Sequence, residues 1–500
     1  MTCTISRRDF LKGLGVGAAA LALAGRLRAE TPAAAPAKRL NFVFILLDDM
    51  GWSDLHCYGS TFYESPNVDR LAQQGMRFTQ AYAACPVCSP TRASIQTGKY
   101  PARVRITNFI KGVKSGKLLS AEYLDHLPLE EFTLGEAMKE GGYATGFIGK
   151  WHLGDRPFYP DSQGYDTIAG VAGGMKRFSP YKNKNLPDGP PGEYITDRLT
   201  DESLKFLDAH REKPFFLFLS HYAVHVPIEA KPEIVKRYEA KAAGLHVTDA
   251  QRFADDLGRQ VRVVQDHAAY AGMIQSVDEC VERVMKKLDE LGIADSTAVF
   301  FMSDNGGLST AEGSPTANVP LRAGKGWLYE GGIREPLIVK WPGVTRPGST
   351  CDAPVISNDF YPTMLEMAGL PARPEQHCDG VSFVPLLRGA AMPAREAMYW
   401  HYPHYSNQGS APCGAVRAGD FKLIEWYEDN RVELYNVRED IGEKNDLAAR
   451  VPEKAAELCK RLHAWRESVK AVMPTPNPAY RPPTAAAAAR ERMRLARIDD

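Results

Sequence analysis

Cys88 and Arg92 lie close together in Cys-Ser-Pro-Thr-Arg, a segment that combines a potential nucleophile with a permanent cation. Pro90 suits the first helical position, because its missing N–H group would have no partner there in any case. Ser89 is a suitable N-cap and Gly98 a suitable end for such a helix. The pattern predicts that Cys88 lies just outside a helix N-terminus. Free N–H groups and the positive end of the helix dipole favour an anion there, and Arg92 can face the same anion.

The same cysteine permits other interpretations. Cys85 and Cys88 form a Cys-Pro-x-Cys pattern that is similar to a thioredoxin redox pair. Half of a structural zinc site is a second alternative, but the chain has no second Cys-x-x-Cys motif to complete it. The local segment alone leaves the redox interpretation open.

Oxygen-bearing residues occur in two adjacent pairs, Asp48 with Asp49 and Asp304 with Asn305. Carboxylate and amide oxygens are the ligands that hard cations prefer, so the set favours Ca²⁺ or Mg²⁺ over zinc. Asp-Asp-x-Gly and Asp-Asn-Gly are also good turn sequences, and each pair alone is better explained as a turn. The ligand interpretation therefore depends on the two pairs meeting in space.

Candidate cations and proton carriers are Lys150, His152, Lys325 and either His221 or His225. Side chains alternate along an extended segment, so Lys-Trp-His places Lys150 and His152 on one side. Lys325 lies between two glycines, in a flexible loop that lets an ammonium group approach a ligand. Solvated surface charge is the alternative for each lysine, and a packed ring is the alternative for His221.

Short, continuous apolar runs precede these polar residues, and each run predicts a strand buried on both faces of a parallel sheet. Ligands bind at the carboxyl edge of such a sheet, so the residues at the four strand ends are expected to meet in one site. Chance polarity of loops explains one or two such cases but hardly four. The runs are 40–47 before Asp48, 143–148 before Lys150, 215–219 before His221 and His225, and 298–302 before Ser303-Asp304-Asn305-Gly306.

Amphipathic helices separate these runs, which predicts an α/β fold: a large mixed, mostly parallel sheet sandwiched by helices, with a smaller C-terminal α+β domain. Apolar spacing predicts one long helix over 270–288, and Thr133 to Glu136 forms a capping-box pattern. We expect an export signal at 1–29, a catalytic domain at 30–388, a small domain at 389–473 and a Pro/Ala/Arg-rich tail at 474–500. The small domain is expected to contain strands at 414–417, 421–427 and 432–435 and a helix at 451–470.

The first residues are typical of an export signal. Ser-Arg-Arg-Asp-Phe-Leu-Lys has the twin-arginine pattern, an apolar stretch follows as far as Ala24, and Ala29 suits cleavage. Residues 1–29 contain five basic residues and one acidic residue, so their removal changes the formal net charge from 0 to −4. This balance indicates no nucleic-acid partner, and no later stretch is long enough to span a membrane. We expect the twin-arginine translocase to deliver the protein to the periplasm or the exterior.

In their order along the chain, the motifs resemble those of the type I sulfatases of the alkaline phosphatase superfamily. The resemblance covers about residues 39–450, and the set is specific although its single motifs are not. One departure is Lys99, where many members have arginine. The motifs are Asp48-Asp49-x-Gly51, Cys88-x-Pro90-x-Arg92, Gly149 to His152, His225-x-Pro227, Ser303 to Gly306, Gly324-Lys325-Gly326, Glu330 to Pro336, Asp379 to Ser382 and Glu433 to Asn436.

The resemblance implies an alkaline-phosphatase-like fold and a modified nucleophile. In this family the cysteine that corresponds to Cys88 is oxidised to formylglycine, whose hydrate attacks sulfur. The formylglycine-generating enzyme would act in the cytoplasm, before export. By the same resemblance, Asp48, Asp49, Asp304 and Asn305 would bind one Ca²⁺, or Mg²⁺, together with the modified Cys88.

The resemblance also implies roles for the cationic residues in the hydrolysis of a sulfate monoester. Arg92, Lys150 and Lys325 would neutralise the sulfate oxygens. His225, preferred over His221 by the family pattern His-x-Pro, or Lys325 would protonate the leaving alcohol. His152 would then take a proton from the second hydroxyl of the hydrate and release sulfate.

Two further functions stay open at this point: a phosphate or phosphonate ester hydrolase of the same superfamily, and a non-catalytic protein that binds sulfated glycans if Cys88 is unmodified. For an exported sulfatase, the expected substrate is a sulfated carbohydrate. His401, His404, Tyr405 and Arg417 are candidates for the leaving-group pocket, although an aromatic core explains them equally well.

Overall fold

A computed structural model of the chain describes residues 39–172, 174, 176–183, 185–392 and 395–482. The predicted export signal at 1–29 and the tail from 483 onward lie outside these residues. The strands are β1 Asn41–Leu47, β2 Met76–Tyr82, β3 Leu118–Leu119, β4 Ala144–Gly149, β5 Thr167–Ala169, β6 Phe215–Ser220, β7 Phe253–Asp256, β8 Arg259–Arg262, β9 Thr297–Ser303, β10 Arg334–Lys340, β11 Ser349–Cys351, β12 Val355–Ile356, β13 Met398–Tyr402, β14 Cys413–Ala418, β15 Phe421–Trp426, β16 Val432–Asn436 and β17 Thr475–Pro476. The α-helices are α1 Pro66–Gln74, α2 Cys88–Thr97, α3 Pro101–Val104, α4 Leu134–Glu140, α5 Ile195–His210, α6 Pro232–Ala243, α7 Asp249–Arg252, α8 Ala268–Glu290, α9 Glu330–Ile333, α10 Phe360–Ala368, α11 Val384–Leu387 and α12 Pro452–Ser468.

A nine-stranded sheet forms the centre of the fold. Its path is β11-β2-β10-β9-β1-β6-β4-β5, and β12 also pairs with β2. The five strands from β9 to β5 are parallel neighbours, whereas β10 is antiparallel to both β9 and β2. The four strands predicted from apolar runs are β9, β1, β6 and β4, and they lie side by side. Their carboxyl ends therefore meet at one edge of the sheet, as predicted.

Helices cover both faces of this sheet. Val43 and Ile45 of β1 belong to the core layer that contains apolar residues of α5 and α8, whereas Phe42 and Phe44 belong to the opposite layer with α4 and α10. Since β1 is fully buried on both faces, its apolar residues run without interruption. The expected α/β architecture, a mostly parallel sheet between helices, is confirmed.

Two helix predictions are also confirmed. The helix predicted over 270–288 is α8, which is longer by a few residues at each end. At the start of α4, the Thr133 side chain accepts from the backbone of Glu136, and the Glu136 side chain accepts from the backbone of Thr133. No helix among the described residues is long and apolar enough to cross a membrane.

A second, antiparallel sheet in the order β13-β14-β15-β16 carries α12 against it, so the expected C-terminal α+β part is confirmed. Its first strand, β13, was not predicted and has the sequence Met-Tyr-Trp-His-Tyr. The boundary near residue 388 stays a prediction. Beyond α12, β17 pairs with β3, and Asn477 donates its side-chain amide to the carbonyl of Gly116 at 2.9 Å, so the start of the predicted tail is tied to the body.

Candidate active site

Cys88 is the first residue of α2, and all ten residues of this helix are buried. The helix begins two residues earlier than predicted: Val87 occupies the N-cap position in an extended conformation, so the prediction of Ser89 as N-cap is wrong. The Ser89 hydroxyl instead accepts the backbone N–H of Ile110 at 3.2 Å. The Cys88 side chain is 2 % exposed. The helix N-terminus therefore presents Cys88 in an enclosed site at the end of the sheet.

Two buried acidic groups from separate strands meet beside Cys88. Asp48 follows β1 and Asp304 follows β9; one oxygen of each lies within 4.8 Å of the other and of Cys88 Sγ. The backbone N–H of Asp49 donates to Asp304 Oδ1 at 3.3 Å, and Asn305 Nδ2 donates to Asp49 Oδ1 at 2.8 Å. The structure thus brings together the four oxygen-bearing residues that the sequence offered as metal ligands.

Arg92 reaches the same cluster from α2, but its donors are directed at protein groups. Its Nε donates to Asp304 Oδ2 at 2.8 Å, and its Nη2 lies 2.7 Å from the same oxygen. Its Nη1 donates to the carbonyl of Lys150 at 2.7 Å and to Ser220 Oγ at 2.6 Å. Arg92 is 3 % exposed and does not line the cavity described below. Arg92 is therefore placed to orient Asp304 and the end of β4, rather than to contact a substrate directly.

Lys150 and Lys325 each pair with a carboxylate and also line the cavity described below. Lys150 forms an ion pair with Asp48, and its Nζ lies 3.7 Å from Cys88 Sγ. Lys325 donates to Asp49 Oδ2 at 2.7 Å. Both ammonium groups are almost fully buried, because the neighbouring carboxylates compensate the loss of water.

The histidines differ in their surroundings. His225 Nε2 lies 3.6 Å from Asp49 Oδ2, and its Nδ1 lies 2.7 Å from the carbonyl of Val226, so Nδ1 carries the proton. His152 also lines the cavity, and its Nδ1 is buried with no hydrogen-bond partner. Burial, followed by the charge of a nearby lysine, lowers the pKa of both imidazoles. His221 instead packs in the core, with its Nε2 3.0 Å from Cys280 Sγ.

Charge is unevenly compensated among the carboxylates. Burial alone would raise the pKa of Asp48, but Lys150, His225 and Arg92 outweigh it and hold this pKa far below its usual value. For Asp304, burial outweighs the attraction of Arg92 and, with the negative charge of Asp48, raises the pKa to about 7. The cluster is therefore short of positive charge around Asp304.

The donor set fits a hard divalent cation. Asp48 Oδ1 and Asn305 Oδ1 are buried oxygens without a hydrogen-bond donor, and such atoms are costly unless something binds them. Both oxygens suit a cation that prefers oxygen ligands, as Ca²⁺ and Mg²⁺ do. Three carboxylates and three basic side chains also cancel formally, so the protein groups alone give an anion no net attraction.

Cys88 itself is not activated as a thiolate. Burial raises the pKa of its thiol to about 11, although Lys150 and Lys325 act in the opposite direction. A thiol with this pKa is a poor nucleophile near neutral pH. Cys85 and Cys88 are both free thiols, so the structure contains no disulfide between them.

Two residues at strand ends have left-handed backbone conformations. Asp49 has φ of 64° and His152 has φ of 55°, which is uncommon for residues with a Cβ atom. Backbone conformations of this kind cluster at functional sites, where the surrounding structure holds them in place. Here they turn the chain at the ends of β1 and β4 so that both side chains face the cluster.

A cavity of about 670 Å³ opens over Cys88. Its deep end contains the predicted residues Lys150, His152, His225 and Lys325. Sequence reasoning missed its outer part, because isolated polar and aromatic residues in loops carry no distinctive pattern. The outer lining residues include Phe109, Ile110, Lys111, Asp125, His126, Asp155, Arg156, Phe158, Glu312, Asn407 and Gln408.

The four residues predicted for the leaving-group pocket do not line this cavity. His401 Nδ1 lies 2.8 Å from the Tyr427 hydroxyl, and His404 is buried with its Nε2 2.8 Å from Thr107 Oγ1. Tyr405 donates to Glu428 at 2.5 Å, and Arg417 forms a hydrogen bond with the Tyr82 hydroxyl. The structure corrects this expectation: His401 lies in β13 and Arg417 in β14, and all four side chains form hydrogen bonds with other protein groups.

Comparisons with known proteins agree with this geometry. The sulfatase family profile matches residues 40–370, a profile described as the C-terminal part of N-sulphoglucosamine sulphohydrolase matches 323–470, and a twin-arginine signal profile matches 4–24. A sulfatase of Formosa agariphila is 31% identical over 85% of this chain and 88% of its own length. The mouse N-acetylgalactosamine-6-sulfatase is 32% identical over 85% of this chain and 80% of its own length. The crystal structure of Ps i-CgsB superposes with a TM-score of 0.72 and 28% identity, over 86% of this chain and 93% of that one.

Proposed function

This chain belongs to the sulfatase family, and from that premise we propose that it is an exported enzyme that hydrolyses sulfate monoesters of carbohydrates with an oxidised Cys88 as its nucleophile and one divalent cation. The observation that carries this proposal is the meeting of Cys88 with Asp48, Asp304 and Lys150 at the closed end of one cavity. The mouse relative is named for a sulfated amino sugar, which supports a carbohydrate substrate.

Oxidation of Cys88 is supported by the state of the thiol. With a pKa of about 11, the unmodified side chain carries almost no thiolate at neutral pH. Formylglycine, when present, supplies a hydrated aldehyde, whose two hydroxyl groups allow attack on sulfur and later release of sulfate without an external water molecule. Lys150 lies 3.7 Å from Cys88 Sγ and can orient a hydroxyl at this position.

The cation site would consist of Asp48, Asp49, Asp304 and Asn305. When bound, Ca²⁺ or Mg²⁺ supplies positive charge to sulfate oxygens and to the nucleophile. Lys150 and Lys325 add two ammonium groups that line the cavity and can hold further sulfate oxygens and the leaving oxygen, on which negative charge develops in the transition state.

We assign Arg92 a positioning role. The hydrogen bonds of its guanidinium group go to Asp304, Ser220 and the carbonyl of Lys150, and its Nη2 also lies 3.9 Å from Asp48 Oδ1. It therefore fixes one cation ligand and the start of the segment that carries Lys150 and His152. A substrate reaches neither Nε nor Nη1 unless these contacts break.

Proton transfers fall to the residues that line the cavity. Lys325 remains protonated, because Asp49 outweighs the effect of burial and raises its pKa. His225 carries a proton on the Nε2 atom only when it is charged, which burial disfavours. Lys325 is therefore the better donor to the leaving oxygen. His152 is neutral with a free Nδ1, so it can accept the proton that leaves the nucleophile when sulfate departs.

The modification is tested by mass spectrometry of the tryptic peptide that spans 78–92. We expect the residue at position 88 to have lost sulfur and two hydrogens and to have gained one oxygen, and to react with a hydrazide. Cys85 lies in the same peptide and serves as the internal control, because it should remain a thiol that iodoacetamide alkylates. A fully active preparation in which position 88 is also alkylated would refute the proposed chemistry.

The catalytic role is tested with 4-nitrophenyl sulfate, with 4-nitrophenyl phosphate in parallel. The Cys88→Ala variant should keep its melting temperature and lose turnover. Faster turnover of the phosphate by the wild-type enzyme would favour the phosphate or phosphonate ester hydrolase. Retained affinity for a sulfated glycan without release of sulfate from any ester would favour the binding protein.

A further inference from the structure

An aromatic pair forms one wall of the cavity outside the cluster around Cys88. The rings of His126 and Phe158 stack with their centroids 3.8 Å apart and their planes at 20°. Both residues line the cavity, and both are only partly buried. The pair therefore offers a flat apolar surface within reach of a molecule whose sulfate lies at the deep end.

Gly154 allows this stack. A Cβ atom at this position would lie 2.7 Å from His126 Cβ and 3.0 Å from Phe158 Cβ, and the φ of +113° is unfavourable for other residues. Trp151 Nε1 also donates to the carbonyl of Phe158 at 2.8 Å. The aromatic pair is thus fixed to the same strand end that carries Lys150, so it has a defined position relative to the nucleophile.

Carboxylates surround the pair. Asp125 Oδ1 lies 2.9 Å from His126 Nδ1, and its side chain is 73 % exposed. Asp155, which is 61 % exposed, pairs with Lys111 at 3.1 Å. Both carboxylates keep oxygens free for hydroxyl groups of a ligand. An aromatic surface flanked by acceptor oxygens suits a sugar ring, whose C–H face is apolar and whose rim is rich in hydroxyl donors.

The two parts of the cavity differ in the charge of the side chains that line them. The deep end holds Lys150 and Lys325, whereas the outer part holds three acidic residues and two basic ones. A second sulfate on the leaving sugar would enter a region with no surplus of positive charge. The outer acidic residues are Asp125, Asp155 and Glu312, and the basic ones are Lys111 and Arg156.

We propose that His126, Phe158 and Asp125 form a leaving-group subsite for a single pyranose ring that carries one sulfate. This inference rests on the proposed function, since it describes the alcohol part of the same substrate. The ring stacks on the aromatic pair and donates hydroxyl hydrogen bonds to Asp125 and Asp155. The subsite selects against sugars with a second sulfate near the scissile ester.

The experiment compares the wild-type enzyme with His126→Ala on the best substrate among galactose, glucose and N-acetylhexosamine monosulfates. The variant should raise KM for that sugar about tenfold, which corresponds to roughly 1.4 kcal/mol of lost binding. Inhibition by inorganic sulfate, measured with 4-nitrophenyl sulfate as reporter, should be unchanged, because the deep end is intact. His56→Ala is the matched control: His56 Nδ1 lies 2.9 Å from Asp69 Oδ2, as His126 does from Asp125, but outside the cavity.

A second variant tests whether these residues contact the sugar or only support the loop structure. Asp125→Asn should raise the ratio of kcat/KM for a disulfated over a monosulfated sugar by a factor of about 3–10, because it removes a repulsive charge. Unchanged sugar kinetics in both variants would overturn the subsite, as would a wild-type enzyme that cleaves 4-nitrophenyl sulfate but no monosulfated sugar. If the wild-type enzyme released sulfate from neither class of ester, the proposed function itself would fail.

Discussion

Replacing Lys325 with methionine should strengthen the binding of a divalent cation and weaken the binding of a sulfate anion. Lys325 Nζ lies 2.7 Å from Asp49 Oδ2, so this ammonium group competes with a cation for the same carboxylate. The three buried carboxylates and three buried basic groups of the site cancel formally. The variant shifts this balance by one negative charge, which attracts the cation and repels the anion.

The magnitude follows from the distances. Two unit charges 4 Å apart interact by about 4 kcal/mol at an effective dielectric constant of 20, and relaxation and water reduce this value. We expect each affinity to change by roughly 1–3 kcal/mol, or about 5- to 150-fold, in opposite directions. The methionine has a similar length and keeps the buried volume filled, so the fold should remain.

Calorimetric titration of Ca²⁺ into chelator-treated protein measures the first affinity, and inhibition by inorganic sulfate measures the second. Lys99→Met is the matched control, because Lys99 lies 2.7 Å from Glu131 and is 15 % exposed but does not line the cavity. It should change neither affinity. If Lys325→Met weakened both ligands together, or affected neither, the charge balance inferred for this site would be refuted.

Three further predictions concern buried charges. Arg92→Met removes the cation that lies 2.7 Å from Asp304 Oδ2 and leaves this buried carboxylate without its nearest positive charge, so it should lower the free energy of unfolding by about 3–5 kcal/mol, measured with urea; adding Asp304→Asn should restore part of it. Burial lowers the pKa of His401 to about 4, so the folded state loses up to about 3 kcal/mol as the pH falls from 6.5 to 4, and His401→Gln should flatten that part of the stability profile. Glu335 is buried with both oxygens unpaired, and burial raises its pKa well above the usual value. The ionised carboxylate therefore destabilises the folded protein once the pH rises above about 4.5, the pKa in the unfolded chain. Glu335→Gln should therefore raise the melting temperature at pH 7.5 but not at pH 4, by an amount equivalent to about 1–3 kcal/mol.

Much of the sheet and of the deep site could be predicted because the relevant signals are local. A strand buried on both faces needs an uninterrupted apolar run, so β1, β6 and β9 were visible in the sequence. The polar residues that follow them, such as Asp48 and Asp304, then had to meet, because parallel strands end at the same edge.

The remainder depended on contacts between distant segments. β10 is antiparallel to its neighbours, and nothing in its own residues distinguishes that direction from the parallel one. His401 looked suitable for a substrate pocket, yet Tyr427 and the carbonyl of Val472 occupy both of its nitrogens. The stack of His126 on Phe158 requires Gly154, and no pattern links these three positions before the loops are folded.

If Cys88 is oxidised as proposed, the complete burial of α2 constrains when this can happen. All residues of this helix are buried in the folded chain, so an oxidising enzyme that binds this segment must do so before the chain folds. Lys325, which lines the same cavity as Cys88, follows it by about 240 residues, and synthesis at 5–20 residues per second leaves an interval of roughly 10–50 seconds. Twin-arginine export carries folded proteins, so under the proposed chemistry a molecule that missed this interval would leave the cytoplasm with an unmodified, inactive thiol. Slower translation between these two positions should therefore raise the active fraction of the secreted enzyme without any change in its sequence.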